Sequence, residues 1–134
     1  MSILDLNIKK RNDRIKVLYV DDHLSNLQLF QLMFKKNCEI KIAESGKEGL
    51  EILNKQNDID VVVSDFEMPF MNGLEFINNA RKIKKNIPFF MLSCSILTNE
   101  IEEALNNNIV NHFFRKPIRR ESFLNELLNY YKQI

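Results

Sequence analysis

Short apolar runs along the chain alternate with segments whose apolar residues recur every three or four positions. The apolar runs are typical of buried strands, whereas the recurring spacing is typical of amphipathic helices. This alternation predicts strand–helix–strand units and a parallel sheet. Because such crossovers are almost always right-handed, the pattern favours an α/β fold with helices on both faces of the sheet.

The pattern predicts five strands and five helices. Strands are expected near residues 15–20, 40–42, 61–63, 88–92 and 113–114. The first helix is expected over 25–35, and the next three follow Ser45-Gly46, Gly73 and the N-cap residue Thr98. The fifth carries the last apolar stripe, from Phe123 to Tyr131. Five parallel strands flanked by five helices form a doubly wound, flavodoxin-like arrangement.

The run Asn106-Asn107-Asn108 stands where the fourth helix is expected to end. Asparagine tolerates the left-handed backbone conformation best among the residues other than glycine. We therefore expect this run to form the C-terminal cap in place of the usual glycine.

The 134 residues are enough for one domain with a substantial core and too few for two ordinary domains. We expect residues 15–134 to form that domain and residues 1–14 to form a tail or linker.

The formal net charge of +1 gives no overall attraction to nucleic acid or to a membrane surface. The sequence has no apolar run of about 18 residues and no signal-peptide pattern, so we expect a cytoplasmic protein. In the cytoplasm we expect Cys38 and Cys94 to be reduced thiols.

Carboxylates follow two of the predicted strands closely. Asp21 and Asp22 come directly after the first strand, and Asp65 comes shortly after Val61-Val62-Val63. Because the carboxyl ends of neighbouring parallel strands lie at the same edge of a sheet, we expect these acids to converge. At ~4 Å and an effective dielectric of ~20, each unscreened pair repels by roughly 4 kcal/mol. This edge of the sheet therefore requires a cation.

Two sources of positive charge are available at this edge. Lys116 follows the fifth predicted strand and supplies a fixed ammonium group. A hard divalent ion with oxygen ligands, for which Mg²⁺ is the natural candidate, would neutralise the remaining charge. Ser93 ends the fourth predicted strand and adds a hydroxyl group to the same edge.

The order of these residues resembles that of the receiver domains of two-component response regulators. The resemblance extends from about residue 15 to the C-terminal helix and rests on separate features in the same order. They are Asp21-Asp22, Asp65 with Met68-Pro69 and Gly73, Ser93, an aromatic residue three positions before the lysine, and Lys116-Pro117. The resemblance implies the same flavodoxin-like fold that the alternation predicts.

The resemblance also implies roles for the charged residues. Asp65 matches the aspartate that accepts a phosphoryl group, and Lys116 matches the lysine that pairs with that group. Asp21 and Asp22 match the acidic pair that orients Mg²⁺. The ion would take further oxygen ligands from Asp65 and from the backbone carbonyl of Glu67.

Two other residues match the part of the family that changes conformation. Ser93 matches the hydroxyl that closes on the phosphoryl group, and Phe113 matches the switch aromatic. The implied output surface consists of the fourth helix, the fifth strand and the fifth helix. Opposite charges there could pair two copies in a homodimer, or they could be solvated surface charges that contribute little. These charges are Glu100, Glu102 and Glu103 on one element, and Arg115, Arg119 and Arg120 beyond the next.

The implied function is a phosphorylation-controlled interaction module. Its phosphoryl group would come from a phosphohistidine on a sensor histidine kinase or a histidine phosphotransfer domain, and its target would be a downstream protein. Such a domain is not a conventional enzyme, although it catalyses its own phosphorylation and dephosphorylation. Both a stand-alone regulator and the receiver of a hybrid kinase fit the resemblance. Direct contact with nucleic acid or a membrane is not expected.

Two other classes of protein share part of these features. A haloacid dehalogenase-type phosphohydrolase also uses a nucleophilic Asp, Mg²⁺ and a lysine, but its second acid is followed by Thr or Val. Here Glu67 is followed by Met68-Pro69. A flavin carrier of the same fold needs a Ser/Thr/Gly-rich phosphate loop after the first strand. This chain has Asp21-Asp22-His23 there, and these acids would repel the flavin phosphate.

Three residues depart from the usual pattern of receiver domains. Phe113 lacks the hydroxyl group of the commoner tyrosine. Cys94 follows Ser93 where a smaller residue is usual, and we expect it to narrow the entrance to the phosphorylation pocket. His23 is expected to be a loop residue rather than a phosphodonor.

Overall fold

In the computed structural model, which describes residues 9–10 and 13–131, strands and helices alternate along the main part of the chain. The elements in chain order are β1 (Lys9–Lys10), β2 (Asp13–Arg14), β3 (Lys16–Val20), α1 (Leu24–Phe34), β4 (Glu39–Ala43), α2 (Gly46–Lys55), β5 (Val61–Asp65), α3 (Gly73–Ile83), β6 (Phe89–Ser93), α4 (Asn99–Asn106), β7 (His112–Arg115) and α5 (Arg120–Tyr131). From β3 onward these are the strands and helices that the hydrophobic pattern predicts. None of the described helices has the length and apolar character needed to cross a bilayer.

A single sheet of five parallel strands runs through the domain in the order β4-β3-β5-β6-β7. The chain therefore winds outward in both directions from β3 and β5. In folds of this kind the functional crevice lies at the carboxyl ends of the strands where the winding reverses. The predicted doubly wound, flavodoxin-like fold is confirmed.

The strands β1 and β2 form a separate antiparallel ladder that pairs Lys9 with Arg14 and Lys10 with Asp13. Residues 1–8 and 11–12 lie outside the described part of the chain. The interpretation of residues 1–14 as a tail or linker therefore stays a prediction, and so do the domain bounds 15–134.

The core consists of two layers, one on each face of the sheet. In one layer, Tyr19 and Phe90 from the strands pack with Phe30 of α1 and Phe123 of α5. The other layer joins the opposite faces of the strands to α2, α3 and α4. Its members include Leu18, Val62 and Met91 from the strands, and Leu53, Phe76 and Ile101 from the helices. Alternate strand residues thus face opposite layers, which accounts for the continuous apolar runs in the sequence.

The end of α4 has the asparagine cap that the sequence predicts. The helix ends at Asn106, and Asn108 follows with a φ of 60°, in the left-handed region. The backbone amide of Ile109 then donates to the Ala104 carbonyl oxygen at 2.9 Å. The returning amide satisfies a carbonyl that the helix end would otherwise leave unpaired.

Arg81 near the end of α3 joins the segments that precede β6 and β7. Its guanidinium group donates to the carbonyl oxygens of Ile87 and Ile109 and to Asn111 Oδ1, each at 2.8 Å. Asn111 Oδ1 also accepts a hydrogen bond from the Phe89 backbone amide at 2.8 Å. These bonds hold the amino ends of the two strands together, at the edge of the sheet opposite the acids.

Gly73 opens α3 at the point where the helix approaches the end of β5. Its backbone amide donates to the Phe66 carbonyl oxygen at 2.9 Å. A Cβ atom at this position would lie 2.3 Å from the Asp65 carbonyl oxygen, closer than two such atoms can come. Only glycine therefore allows the helix and the strand to keep this spacing.

Gly73→Ala is expected to displace the loop between Asp65 and α3 and to lower the free energy of unfolding by about 1–3 kcal/mol. Gly46→Ala is the matched control, because its added Cβ would meet the flexible Met71 side chain, with the Sδ atom 2.6 Å away, rather than backbone. Urea denaturation measures both changes. Equal losses in the two variants would contradict the importance of the close backbone approach at Gly73.

Candidate functional site

The structure brings the predicted acids together at the carboxyl edge of the sheet. Strands β3 and β5 pair with Val20 opposite Ser64, so Asp21 and Asp65 come next on neighbouring strands. Asp21 is fully buried and Asp65 is 1% exposed, whereas Asp22 is half-buried. The convergence expected from a parallel sheet is present.

Lys116 places a positive charge between the two buried carboxylates. Its backbone amide donates to the Ser93 carbonyl oxygen at 2.9 Å, which ties the residue to the end of β6. Its Nζ atom lies 2.8 Å from Asp65 Oδ1 and 3.4 Å from Asp21 Oδ2. Burial acts to lower the pKa of Lys116, but the two carboxylates outweigh burial and hold that pKa above its ordinary value. We refer to Asp21, Asp22, Asp65 and Lys116 as the acidic site.

The side-chain carboxylate of Asp21 accepts three hydrogen bonds from the described residues in addition to its contact with Lys116. Its Oδ2 atom accepts from the Tyr19 hydroxyl at 2.6 Å and from the Asn26 side-chain amide at 3.2 Å. Its Oδ1 atom accepts from the His23 backbone amide at 2.9 Å. Burial acts to raise the pKa of Asp21, but these bonds and the nearby ammonium group lower the pKa below its ordinary value. Asp21 therefore stays ionised although it is buried.

The sequence pattern alone does not assign Tyr19 to the site. By its alternation Tyr19 is a core residue, and its ring does stack on Phe30 with centroids 4.1 Å apart. The available signal is its hydroxyl group, because a buried tyrosine normally finds a hydrogen-bond partner. Asp21 lies two residues later, where an extended strand points side chains to the same face.

Asp65 has a different electrostatic balance from Asp21. Burial raises its pKa, the negative charges of Asp21 and Glu67 raise it further, and Lys116 offsets these effects only in part. The resulting pKa is about 6. At neutral pH the Asp65 carboxylate is therefore ionised at a cost in free energy, which a bound cation would reduce.

The acidic site has a donor set that fits Mg²⁺. Asp21, Asp22, His23 and Asp65 offer ligand atoms that all lie within 4.8 Å of one another. Asp22 Oδ1 is buried and accepts no hydrogen bond from the described residues, although His23 Nδ1 lies 3.2 Å away in the exposed loop. Carboxylate oxygens are the ligands that Mg²⁺ prefers in proteins. The implied contribution of the Glu67 backbone carbonyl stays a prediction.

Ser93 is the last residue of β6 and is fully buried. Its Oγ atom donates to Glu67 Oε2 at 2.5 Å and accepts from the Ser95 backbone amide at 3.0 Å. The sequence assigns Glu67 a role only through its backbone carbonyl. The contact of its side chain with Ser93 is therefore not predicted from the sequence. The available signal is the position of an acid two residues after Asp65, in the loop that leaves the same edge of the sheet.

Phe113 and Cys94 contact different parts of the domain. Phe113 stands opposite Met91 in the sheet and is half-buried against the core layer that contains α4, and its role as a switch stays a prediction. Cys94 is an exposed free thiol that lines a cavity of about 270 Å³ together with Tyr19 and Lys116. The expected narrowing of the phosphorylation pocket by Cys94 also stays a prediction.

A family model described as the response regulator receiver domain matches residues 17–128. The chain belongs to this family. The matched range contains the whole acidic site, together with Ser93, Phe113 and the loop that carries Glu67.

Individual proteins are also similar to this chain in sequence or in structure. A chemotaxis protein CheY homolog of Campylobacter jejuni is 31% identical over 107 residues, which are 77% of this chain and 82% of the homolog. The sensor histidine kinase RcsC of Escherichia coli is 27% identical over 124 residues, which are 92% of this chain but 13% of RcsC. The structure of Vibrio cholerae CheY4 has a TM-score of 0.77 at 30% identity and covers 86% of this chain and 97% of CheY4. The chain thus spans a small part of RcsC and most of the chemotaxis proteins.

Asp65→Asn is expected to stabilise the metal-free domain at neutral pH. The pKa of Asp65 is raised from 3.8 to about 6, so the folded state binds this proton more tightly than the unfolded state does. Stability from this group is therefore present at low pH and is lost as the pH rises from about 4 to about 6. At about 1.4 kcal/mol per pKa unit, the variant should gain about 2–3 kcal/mol near pH 8 and almost nothing near pH 4.

Urea denaturation in the presence of a chelator, at both pH values, measures this difference. Glu51→Gln on the exposed face of α2 is the control, because it removes one negative charge away from the acidic site. A gain of equal size at both pH values would contradict the raised pKa of Asp65.

Proposed function

We propose that Asp65 accepts a phosphoryl group from a phosphohistidine, with Mg²⁺ bound by the neighbouring acids. The proposal rests above all on the contact of 2.8 Å between Asp65 Oδ1 and Lys116 Nζ, within a cluster of carboxylates. An aspartate can act as a nucleophile toward phosphorus when its charge is screened and the transferred group is positioned.

In the proposed reaction, a carboxylate oxygen of Asp65 attacks phosphorus as the bond from phosphorus to the histidine nitrogen breaks. The electron pair of that bond leaves with the imidazole. Lys116 stabilises the negative charge on the phosphoryl oxygens, and Ser93 donates a hydrogen bond to one of them after transfer. Water then attacks phosphorus, the bond to the Asp65 oxygen breaks, inorganic phosphate leaves and Asp65 returns to a carboxylate. The domain would thus catalyse its own phosphorylation and dephosphorylation.

The carboxylates of Asp21, Asp22 and Asp65 and the backbone carbonyl of Glu67 would hold Mg²⁺, which supplies further neutralisation of charge during the transfer. Asp21 contributes in a second way, because its bonds to Tyr19 and Lys116 fix the lysine beside Asp65.

The proposed partners are proteins. The phosphoryl donor would be a sensor histidine kinase or a histidine phosphotransfer domain, and the output would be binding of a downstream protein. Two settings agree with this proposal: a stand-alone regulator similar in length to the CheY homolog, and the receiver of a hybrid kinase such as RcsC. The alternative of a haloacid dehalogenase-type phosphohydrolase is not favoured, because the matched family is that of receiver domains.

Acetyl phosphate with Mg²⁺ is expected to add one phosphoryl group to the wild-type chain and none to Asp65→Asn. The reason is that Asp65 is the closer of the two carboxylates that contact the Lys116 ammonium group, at 2.8 Å against 3.4 Å for Asp21. Intact-mass spectrometry, with and without a chelator, measures the addition.

Asp22→Ala tests the proposed Mg²⁺ ligands. Removal of one carboxylate ligand should raise the Mg²⁺ concentration needed for half-maximal labelling. Glu51→Gln, far along α2 in an exposed position, should leave that concentration unchanged. An equal mass gain in wild type and Asp65→Asn would place the phosphoryl acceptor elsewhere.

The proposed output surface consists of α4, β7 and α5. Phe113 of β7 supports this choice, because it is half-buried on the α4 side of the sheet. The charges Glu100, Glu102 and Glu103 are exposed on α4, and Arg115 and Arg119 are exposed beyond it. Arg120, however, donates to Asn37 Oδ1 at 2.8 Å, so this arginine is engaged within the domain. The expected charge pairing in a homodimer therefore has fewer arginines available than the sequence indicates.

Beryllofluoride, a phosphoryl mimic, is expected to change amide hydrogen exchange in α4, β7 and α5, because Ser93 pairs with Arg115 of β7 and Phe113 of β7 packs on the α4 side of the sheet. The amino end of β6, which Arg81 holds through Asn111, serves as an internal reference. Unchanged exchange across all three elements would contradict the proposed output surface. Sedimentation of the same samples tests the homodimer separately.

A further inference from the structure

The hydroxyl group of Ser93 has a single proton, and this proton is already committed in the structure. Ser93 Oγ donates to Glu67 Oε2 at 2.5 Å, which is short for a hydrogen bond between two oxygen atoms. Its lone pairs accept from the Ser95 backbone amide at 3.0 Å. A serine hydroxyl has only one hydrogen to donate, so Ser93 cannot donate to a second acceptor in this arrangement.

The two partners differ strongly in their exposure. Ser93 is fully buried at the end of β6, whereas Glu67 is an exposed residue in the loop after β5. The loop is held beside β6 by the Phe66 backbone amide, which donates to the Leu92 carbonyl oxygen at 2.8 Å. The Glu67 carboxylate therefore reaches inward from a fixed loop to the buried hydroxyl, and water can solvate the carboxylate if the bond breaks.

A phosphoryl group on Asp65 would compete with Glu67 for Ser93. The phosphoryl oxygens require the Ser93 proton, and they would add negative charge close to Glu67. The influence of the Glu67 charge on the pKa of Asp65 indicates that the two groups already interact electrostatically. Both effects favour release of Ser93 from Glu67 upon phosphorylation.

We propose that Glu67 is a positioning residue that holds the Ser93 hydroxyl in the unphosphorylated protein and thereby opposes the switch to the phosphorylated state. This inference rests on the proposed function of Asp65 and Ser93 and adds a specific antagonist to it. Its chemistry is a charge-assisted hydrogen bond, of the kind that contributes more to stability than a bond between neutral groups. Removal of the Glu67 carboxylate should therefore ease the switch.

The experiment is a double-mutant cycle with Glu67→Ala and Ser93→Ala, in which beryllofluoride binding is measured by NMR titration at saturating Mg²⁺. Glu67→Ala should tighten beryllofluoride binding at least about tenfold when Ser93 is present, because it removes both the hydrogen bond and the negative charge. In the Ser93→Ala background only the charge effect remains, so the gain should be several-fold smaller. Equal gains in both backgrounds would overturn the inference.

Two further variants separate the contribution of the hydrogen bond from that of the negative charge. Glu67→Gln keeps an acceptor for the Ser93 proton but removes the charge, and it should tighten binding less than Glu67→Ala does. Glu51→Gln, exposed on α2, is the control and should have no effect. Thermal unfolding and Mg²⁺ titration of each protein verify that the variants are folded and saturated with metal.

The outcome for the wild-type protein distinguishes this inference from the proposed function. If wild type does not bind beryllofluoride in the presence of Mg²⁺, the proposed function fails and the inference fails with it. If wild type binds and the two backgrounds respond equally to Glu67→Ala, only the role of Glu67 is contradicted.

Discussion

Two buried carboxylates that face one ammonium group are the constraint on which the site depends. Lys116 contacts both Asp65 and Asp21, but a single positive charge cannot neutralise two buried negative charges. The two carboxylates therefore differ in how strongly their negative charge is stabilised. Hydrogen bonds from Tyr19 and the loop after β3 lower the pKa of Asp21, whereas burial leaves Asp65 with a raised pKa. The negative charge that Lys116 does not neutralise thus lies mainly on Asp65, the proposed phosphoryl acceptor. A cation bound beside Asp65 would therefore lower the free energy of the site most.

The fold creates this arrangement because the sheet is parallel. Each residue of the site stands at or just beyond the carboxyl end of a strand, and neighbouring strands bring these ends together. Gly73 lets α3 approach within contact of the Asp65 backbone, and the Lys116 amide is anchored to the carbonyl of Ser93. Backbone contacts therefore set the positions from which the charged side chains act.

The sequence predicts the fold and the location of the acids because both depend on periodicity and on strand ends. The continuous apolar runs of β5 and β6 and the convergence of Asp21 with Asp65 follow from the properties of a parallel sheet. Contacts between a loop side chain and a residue of a strand or helix do not follow in this way. The bond from Ser93 to Glu67 and the bond from Arg120 to Asn37 depend on rotamers and on the path of each loop, which hydrophobic spacing does not determine.

Arg81 has a mechanical consequence for β6 and β7. Its bonds, with those of Asn111, fasten the amino ends of β6 and β7 to α3, while the carboxyl ends of the same strands carry Ser93 and adjoin Lys116. Arg81 and Asn111 therefore fix the amino ends of the two strands by side-chain bonds, in addition to the backbone pairing that joins β6 to β7. If the acidic site displaced the carboxyl ends of these strands, the Arg81 bonds would keep the amino ends in place, so β7 would pivot about that end rather than slide along its axis.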